Sequence, residues 1–471
     1  MVFSSVVFIF RFLPMFLICY FAVPGRMKNV ILLLGSLIFY AWGEPVYVLL
    51  MLFSTFVHFA LGRGIGAKRG RPAGRAYLAI SVIINLLLLG FFKYADFLIQ
   101  CVNMLFKTDI PLPGLGLPLG ISFYTFQIMS YTIDVYRGDV RAQSNLLDFA
   151  VYVTMFPQLI AGPIVKYRQV EGELHNRTVN VPEISRGAKR FVIGLAKKVL
   201  IANNLGVLWE QTASMEYSRM SILTAWIGII AFALQIYFDF SGYSDMAIGL
   251  GYIMGFKFPE NFNYPYISAS VSEFWRRWHI SLGSWFREYV YIPLGGGRKG
   301  MGRQLFNIAV VWLLTGIWHG AGINFVIWGL WFALFLILEK LFLEKVLAAL
   351  PKLAGCVYTW LVVILGWVFF SLDTPGQAVL YIKALFGLNG GDVFDSQALF
   401  LLGEYIVILV ISALAATPLV KMLENKVKSK GSGYSVAVYR FCEKLFIPFL
   451  LIMSIAFIVE ASYNPFLYFR F

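Results

Sequence analysis

Seven stretches of this chain, 3–23, 77–92, 221–238, 322–338, 354–372, 399–417 and 445–460, are apolar over roughly the length a helix needs to cross hydrocarbon. Five more, 30–42, 45–61, 118–131, 191–208 and 305–319, are shorter or interrupted. Inside a bilayer each backbone N–H and C=O must be paired within the protein, so such runs can only be helices. Together they predict about 12 spans, to within about two. Composition agrees, with 59% hydrophobic and 14% charged residues against the roughly 25% charged residues of a soluble chain. So few charges cannot clothe a soluble surface of 471 residues. The predicted fold class is an all-α polytopic membrane protein, read as a single membrane-embedded domain over 1–471.

Charge orients the spans. Gly62–Ala76 carries Arg63, Lys68, Arg69, Arg71 and Arg75 and no acid, which places it on the cytoplasmic side. The Lys-rich stretch 421–444 belongs with it, and 373–397, with Asp373, Asp392 and Asp395, belongs opposite. The last span then runs outward and delivers an extracytoplasmic C-terminus, residues 461–471. The excess of 39 Lys and Arg over 25 Asp and Glu is thus a topological signal, without the clustering of a nucleic-acid module. Residues 146–164 and 243–255 lie between basic loops and are expected to be re-entrant or buried. Such segments persist only where protein or a water-filled cavity surrounds them, so they imply an enclosed site. The four cysteines lack metal or disulfide spacing. The apolar run 2–23 has no basic residue ahead of it and reads as a retained span.

Chemistry must come from the few polar residues set in this apolar chain. His319, in Trp318-His319-Gly320, lies near the junction of two apolar runs, where an ionisable group marks a polar cavity by default. The alternative is an imidazole hydrogen-bonded between helices. His279 ends the run Trp275-Arg276-Arg277-Trp278-His279, which equally suits an interfacial anchor. An imidazole titrates near ~6.5, so general-base work on a hydroxyl is the expected chemistry. Asp239, Ser241 and Asp245, in Asp239-Phe240-Ser241-Gly242-Tyr243-Ser244-Asp245, line or support a cavity, or else cap helices. The turn Gly295-Gly296-Gly297-Arg298-Lys299-Gly300 can hold a donor phosphate or be a positive-inside turn. Arg276 and Arg277 are the other candidate phosphate contacts. No metal site is predicted.

Several segments together resemble the membrane-bound O-acyltransferase family, in its polysaccharide O-acetylation branch. They are Met1-Val2-Phe3-Ser4-Ser5, Ile121-Ser122-Phe123-Tyr124, Ile160-Ala161-Gly162-Pro163, Asp239 to Met246, Glu273 to Ser281, and Trp318-His319-Gly320. The terminal Phe466-Leu467-Tyr468-Phe469-Arg470-Phe471 extends the resemblance to the last residue. It implies a ring of helices around a thin, water-accessible core. It also implies that His319 is the catalytic histidine, that His279 is a second active-site residue and that Trp318 supports them. Tyr468 becomes a transient acyl carrier. The implied donor is acetyl-CoA or an acyl-carrier thioester, used as substrate, with no permanently bound cofactor. The implied partners are an extracytoplasmic, esterase-like acetyltransferase and an exported polysaccharide, the setting is a bacterial inner membrane, and no nucleic acid is involved.

The expected mechanism has His319 take the proton of an acceptor hydroxyl while His279 polarises or orients. D-alanyl transfer to teichoic acid uses the same family chemistry and stands as an alternative. So does a lipid-carrier flippase or transporter, which needs coupling charges in its spans, and a scaffold, which tolerates loss of both histidines.

Overall fold

Apolar runs that must pair their own backbone do form helices throughout. A computed structural model describes residues 1–431 and 433–460, and all regular structure among them is helical. Eight helices are long and apolar enough to cross a membrane; the chain is a multi-pass membrane protein. The chain divides into two compact units, Met1–Phe191 with Tyr243–Glu260, and Val192–Gly242 with the described residues from Asn261 on.

The first unit holds α1 (Leu13–Ala22), α2 (Lys28–Ala41), α3 (Tyr47–Ala67), α4 (Pro72–Phe106), α5 (Ile121–Arg137), α6 (Leu146–Thr154) and α7 (Tyr167–His175). Of these, α3 and α4 have the length and apolarity of spans, with Phe53, Phe56, Leu87 and Phe91 exposed as a lipid-facing surface. Polar groups between α3, α4 and α5 serve as interhelical glue. Asn85 Nδ2 donates to His58 Nε2 at 2.7 Å, and Ser81 Oγ to Thr132 Oγ1 at 3.1 Å. The expected non-spanning piece 146–164 contains α6, nine residues long and buried from Asp148 onward. Asn145 caps it, its Oδ1 accepting from the Leu147 N–H at 2.9 Å.

Two long helices, α8 (Val181–Ala213) and α9 (Ile222–Met254), contribute to both units. The piece 243–255, expected to be re-entrant or buried, is buried, and it continues α9 up to Met254 without a break after 238. The helix runs on through Asp239–Asp245 because its acids find lateral partners and cap nothing. At about 100° per residue, positions six apart point about 120° away from each other, so each carboxylate meets a different cation. In the second unit Lys198 Nζ lies 2.7 Å from Asp239 Oδ1, carried on a π-helical stretch of α8, Lys197–Ala202. In the first unit Arg190 donates to Asp245 Oδ1 through Nε at 3.0 Å and Nη2 at 2.8 Å, and also pairs with Glu260.

The second unit continues with α10 (Val271–Arg277), α11 (Ile280–Phe286), α12 (Met301–His319), α13 (Ile323–Ala349), α14 (Lys352–Ser371), α15 (Pro375–Leu385), α16 (Ser396–Ala415), α17 (Leu419–Lys430) and α18 (Gly433–Glu460). The eight candidate spans are α3, α4, α8, α9, α13, α14, α16 and α18. The other expected spans, 3–23, 30–42, 118–131 and 305–319, fall on helices that are shorter or less apolar. A close glycine contact joins α12 to α13. A Cβ on Gly316 would strike the Phe325 carbonyl oxygen, and one on Gly329 that of Trp312. Residues 461–471, and with them Tyr468, lie outside the described residues.

Candidate functional site

The site is built where the short helices α10 and α11 meet the end of α12. Seven residues make a poor helix unaided, and α10 is secured at its N-terminus. Ser270 Oγ accepts from the Glu273 N–H at 3.0 Å. The Glu339 carboxylate, reaching over from α13, accepts from the Val271 and Ser272 N–H groups at 2.6 and 2.9 Å. An anion there satisfies donors that the helix leaves open. Buried aromatics fix the other side: the Trp278 ring lies 5.5 Å from Phe274 and 5.0 Å from Trp367.

His279 is the joint between α10 and α11. Its backbone is left-handed, at φ 44° and ψ 53°, a conformation that costs any residue with a Cβ and gathers at functional sites. The preceding segment holds the joint on both sides, as the Asn263 N–H donates to the Arg277 carbonyl at 2.9 Å and the Ile280 N–H to that of Asn261 at 3.0 Å. His279 Nδ1 lies 3.1 Å from Asn261 Oδ1. The Phe240 ring meets the imidazole edge-on at 4.6 Å. Nε2 is buried with no hydrogen-bond partner among the described residues. Burial pushes this imidazole down to about 3, so it is neutral across the physiological range.

His319 is the last residue of α12 and has a different setting. Its ring lies 4.9 Å from Trp318, 4.9 Å from Trp328 and 5.3 Å from Phe370. Trp318 is also 6.3 Å from the His279 ring, so one indole stands against both imidazoles. Beside His279 is a mainly apolar cavity of about 380 Å³, lined by Trp275, Arg276, His279, Arg287, Trp312 and Thr315 among others, with Trp318 and His319 outside its lining. That volume suits a small organic ligand. Thr315 stands one helical turn before His319.

The structure therefore gathers His279, Trp318, His319 and Arg276. It places other candidates elsewhere. Arg277 is bound to Glu273, with Nη2 2.8 Å from Oε1, and donates to the Asn263 carbonyl. Arg298 is exposed in its turn and does not line the cavity. Asp239 and Asp245 are taken up by Lys198 and Arg190, and Ser241 Oγ is buried with no hydrogen-bond partner among the described residues. Sequence reasoning missed Arg287 and Asn261. Arg287 could have been found from its position two helical turns beyond His279, just past the end of α11, whereas nothing in Asn261-Phe262-Asn263 marks Asn261.

The model of the membrane-bound O-acyltransferase family matches residues 138–373, which contain this entire constellation. The chain is 40% identical to the "probable alginate O-acetylase" of Pseudomonas putida, over the full length of both. It is 35% identical to the peptidoglycan O-acetyltransferase of Helicobacter pylori, over 83% of this chain and 80% of that one. To the teichoic acid D-alanyltransferase of Bacillus subtilis it is 29% identical, over 46% of this chain and 57% of that one. The chain belongs to the membrane-bound O-acyltransferase family, and it is an O-acyltransferase.

Proposed function

We propose that this acyltransferase takes an acetyl group from a cytosolic thioester, acetyl-CoA or an acyl-carrier thioester, and passes it across a bacterial inner membrane for O-acetylation of an exported polysaccharide. The observation that carries the reading is that two buried imidazoles, His279 and His319, stand against one indole, Trp318, with His279 lining the apolar cavity. The relatives named for alginate and peptidoglycan acetylation support the acceptor class. An apolar slot with Arg276 and Arg287 in its wall suits a thioester arm that ends in phosphates.

The acceptor oxygen attacks the thioester carbonyl as its proton passes to His319. The new C–O bond forms, the C–S bond breaks, and the departing sulfur collects the proton from the imidazolium. His279, also against Trp318, assists. In this reading Tyr468, on the extracytoplasmic C-terminal segment, carries the acetyl group briefly before an esterase-like acetyltransferase outside the membrane passes it to the polymer.

The test is peptide mapping of purified protein after incubation with labelled acetyl-CoA. Wild type should carry label on Tyr468, and His319→Ala should lose about 10²–10⁴-fold in rate, the usual worth of a general base. Tyr468→Phe should block labelling with little effect on folding. Undiminished transfer by His319→Ala overturns the assignment.

A further inference from the structure

Asn261 Oδ1 is a crowded atom. It accepts from the Ser281 N–H at 3.1 Å and from Ser281 Oγ at 2.9 Å, and it lies 3.1 Å from His279 Nδ1. A backbone N–H can only donate, so the atom facing it is the amide oxygen and not the amide nitrogen. An amide oxygen can only accept, so His279 Nδ1 must carry the imidazole proton. Nε2 is then a bare lone pair, buried and unpartnered among the described residues.

We propose that Asn261 is a positioning residue for acyl transfer: it locks His279 in the Nδ1–H tautomer, so that Nε2 enters the reaction as a hydrogen-bond acceptor. This rests on the acyl-transfer reading above and decides between the two ways His279 can assist. A neutral imidazole held like this cannot donate from Nε2 to the thioester carbonyl. It orients by accepting, from the acceptor hydroxyl or from an amide N–H of the donor arm. The rest of the environment keeps it neutral. Burial holds the imidazole far below its ordinary range. The charged groups around it are Arg276 and Arg287 in the cavity wall, His319 beyond Trp318, and the Lys198–Asp239 pair next to Phe240.

The experiment is the pH profile of acetyl transfer from labelled acetyl-CoA by full-length wild type, Asn261→Asp and Asn261→Leu. Asn261→Asp keeps an oxygen for both Ser281 donors, so folding is retained, and it sets an anion against Nδ1–H that raises the His279 pKa. An acceptor must be unprotonated, so the acid limb of the Asn261→Asp profile should move to higher pH, with activity recovered on the alkaline side. Asn261→Leu frees the ring and should lower kcat by about 10²-fold, the scale of a misplaced reacting group. A donating His279 reverses the sign: Asn261→Asp would then gain activity as the pH falls, and that result overturns the proposal. An active wild type with an unshifted Asn261→Asp profile overturns it alone. A wild type inactive with every thioester donor overturns the acyl-transfer reading, and this inference with it.

Discussion

His279 and His319 stand against the same indole in different surroundings. His279 is fixed by hydrogen bonds: an amide oxygen on one ring nitrogen, a strained backbone, and a segment stitched to it on both sides. His319 sits at a helix end, packed between Trp318, Trp328 and Phe370. The contrast teaches that ring position and ring tautomer are set by different contacts. Hydrogen bonds specify which nitrogen bears the proton. Aromatic packing specifies where a ring sits.

The largest expected effect is the His319→Ala loss given above. His279→Ala should follow it, cutting acetyl transfer by about 10²-fold, and near-normal turnover would show that His319 alone matters. A smaller test probes the support on the polar side. Lys198→Met removes the cation 2.7 Å from the buried Asp239 carboxylate, and thermal unfolding in detergent should show a loss of about 3–5 kcal/mol. Pairing it with Asp239→Leu should restore most of that. If the double variant is no more stable than the single one, charge pairing is not what holds α8 to α9 beside Phe240. The smallest effect is expected from Ser270→Ala, which removes one of two caps on α10 and should cost about 1 kcal/mol. With the Glu339 cap intact, kcat should barely change; a large drop would mean that the polar cradle depends on the start of α10 as well.

Much of this was legible in the sequence, for physical reasons that also mark where reading stops. Long apolar runs have one backbone solution, so α3, α4, α13, α14, α16 and α18 could be read directly. The break expected between 238 and 243 was not there, because Asp239 and Asp245 suit a cavity wall or a helix cap until their cations are in view, and Lys198 and Arg190 lie far back on α8. The motif residues His279, Trp318 and His319 do come together. Arg277 does not join them, since its partner Glu273 is one helical turn away and claims the guanidinium first. Asn261 stayed invisible because an amide 18 residues upstream of its histidine carries no periodic or compositional mark.

The glycine contact between α12 and α13 has a bearing on how such an enzyme changes its diet. With Gly316 against Phe325 and Gly329 against Trp312, the two helices meet backbone to backbone, with no side chain between them left to trim. His319 stands one turn beyond this weld, at the end of a helix whose backbone can neither recede nor advance there. Room for a bulkier cargo comes instead from side chains in the cavity lining, Ile308 and Val311 on α12 and the indoles of Trp275 and Trp278 on a short helix that ends at a strained joint. A lineage that reshaped those side chains alone could exchange one acyl group for another and leave its aromatic-boxed imidazole standing where it was.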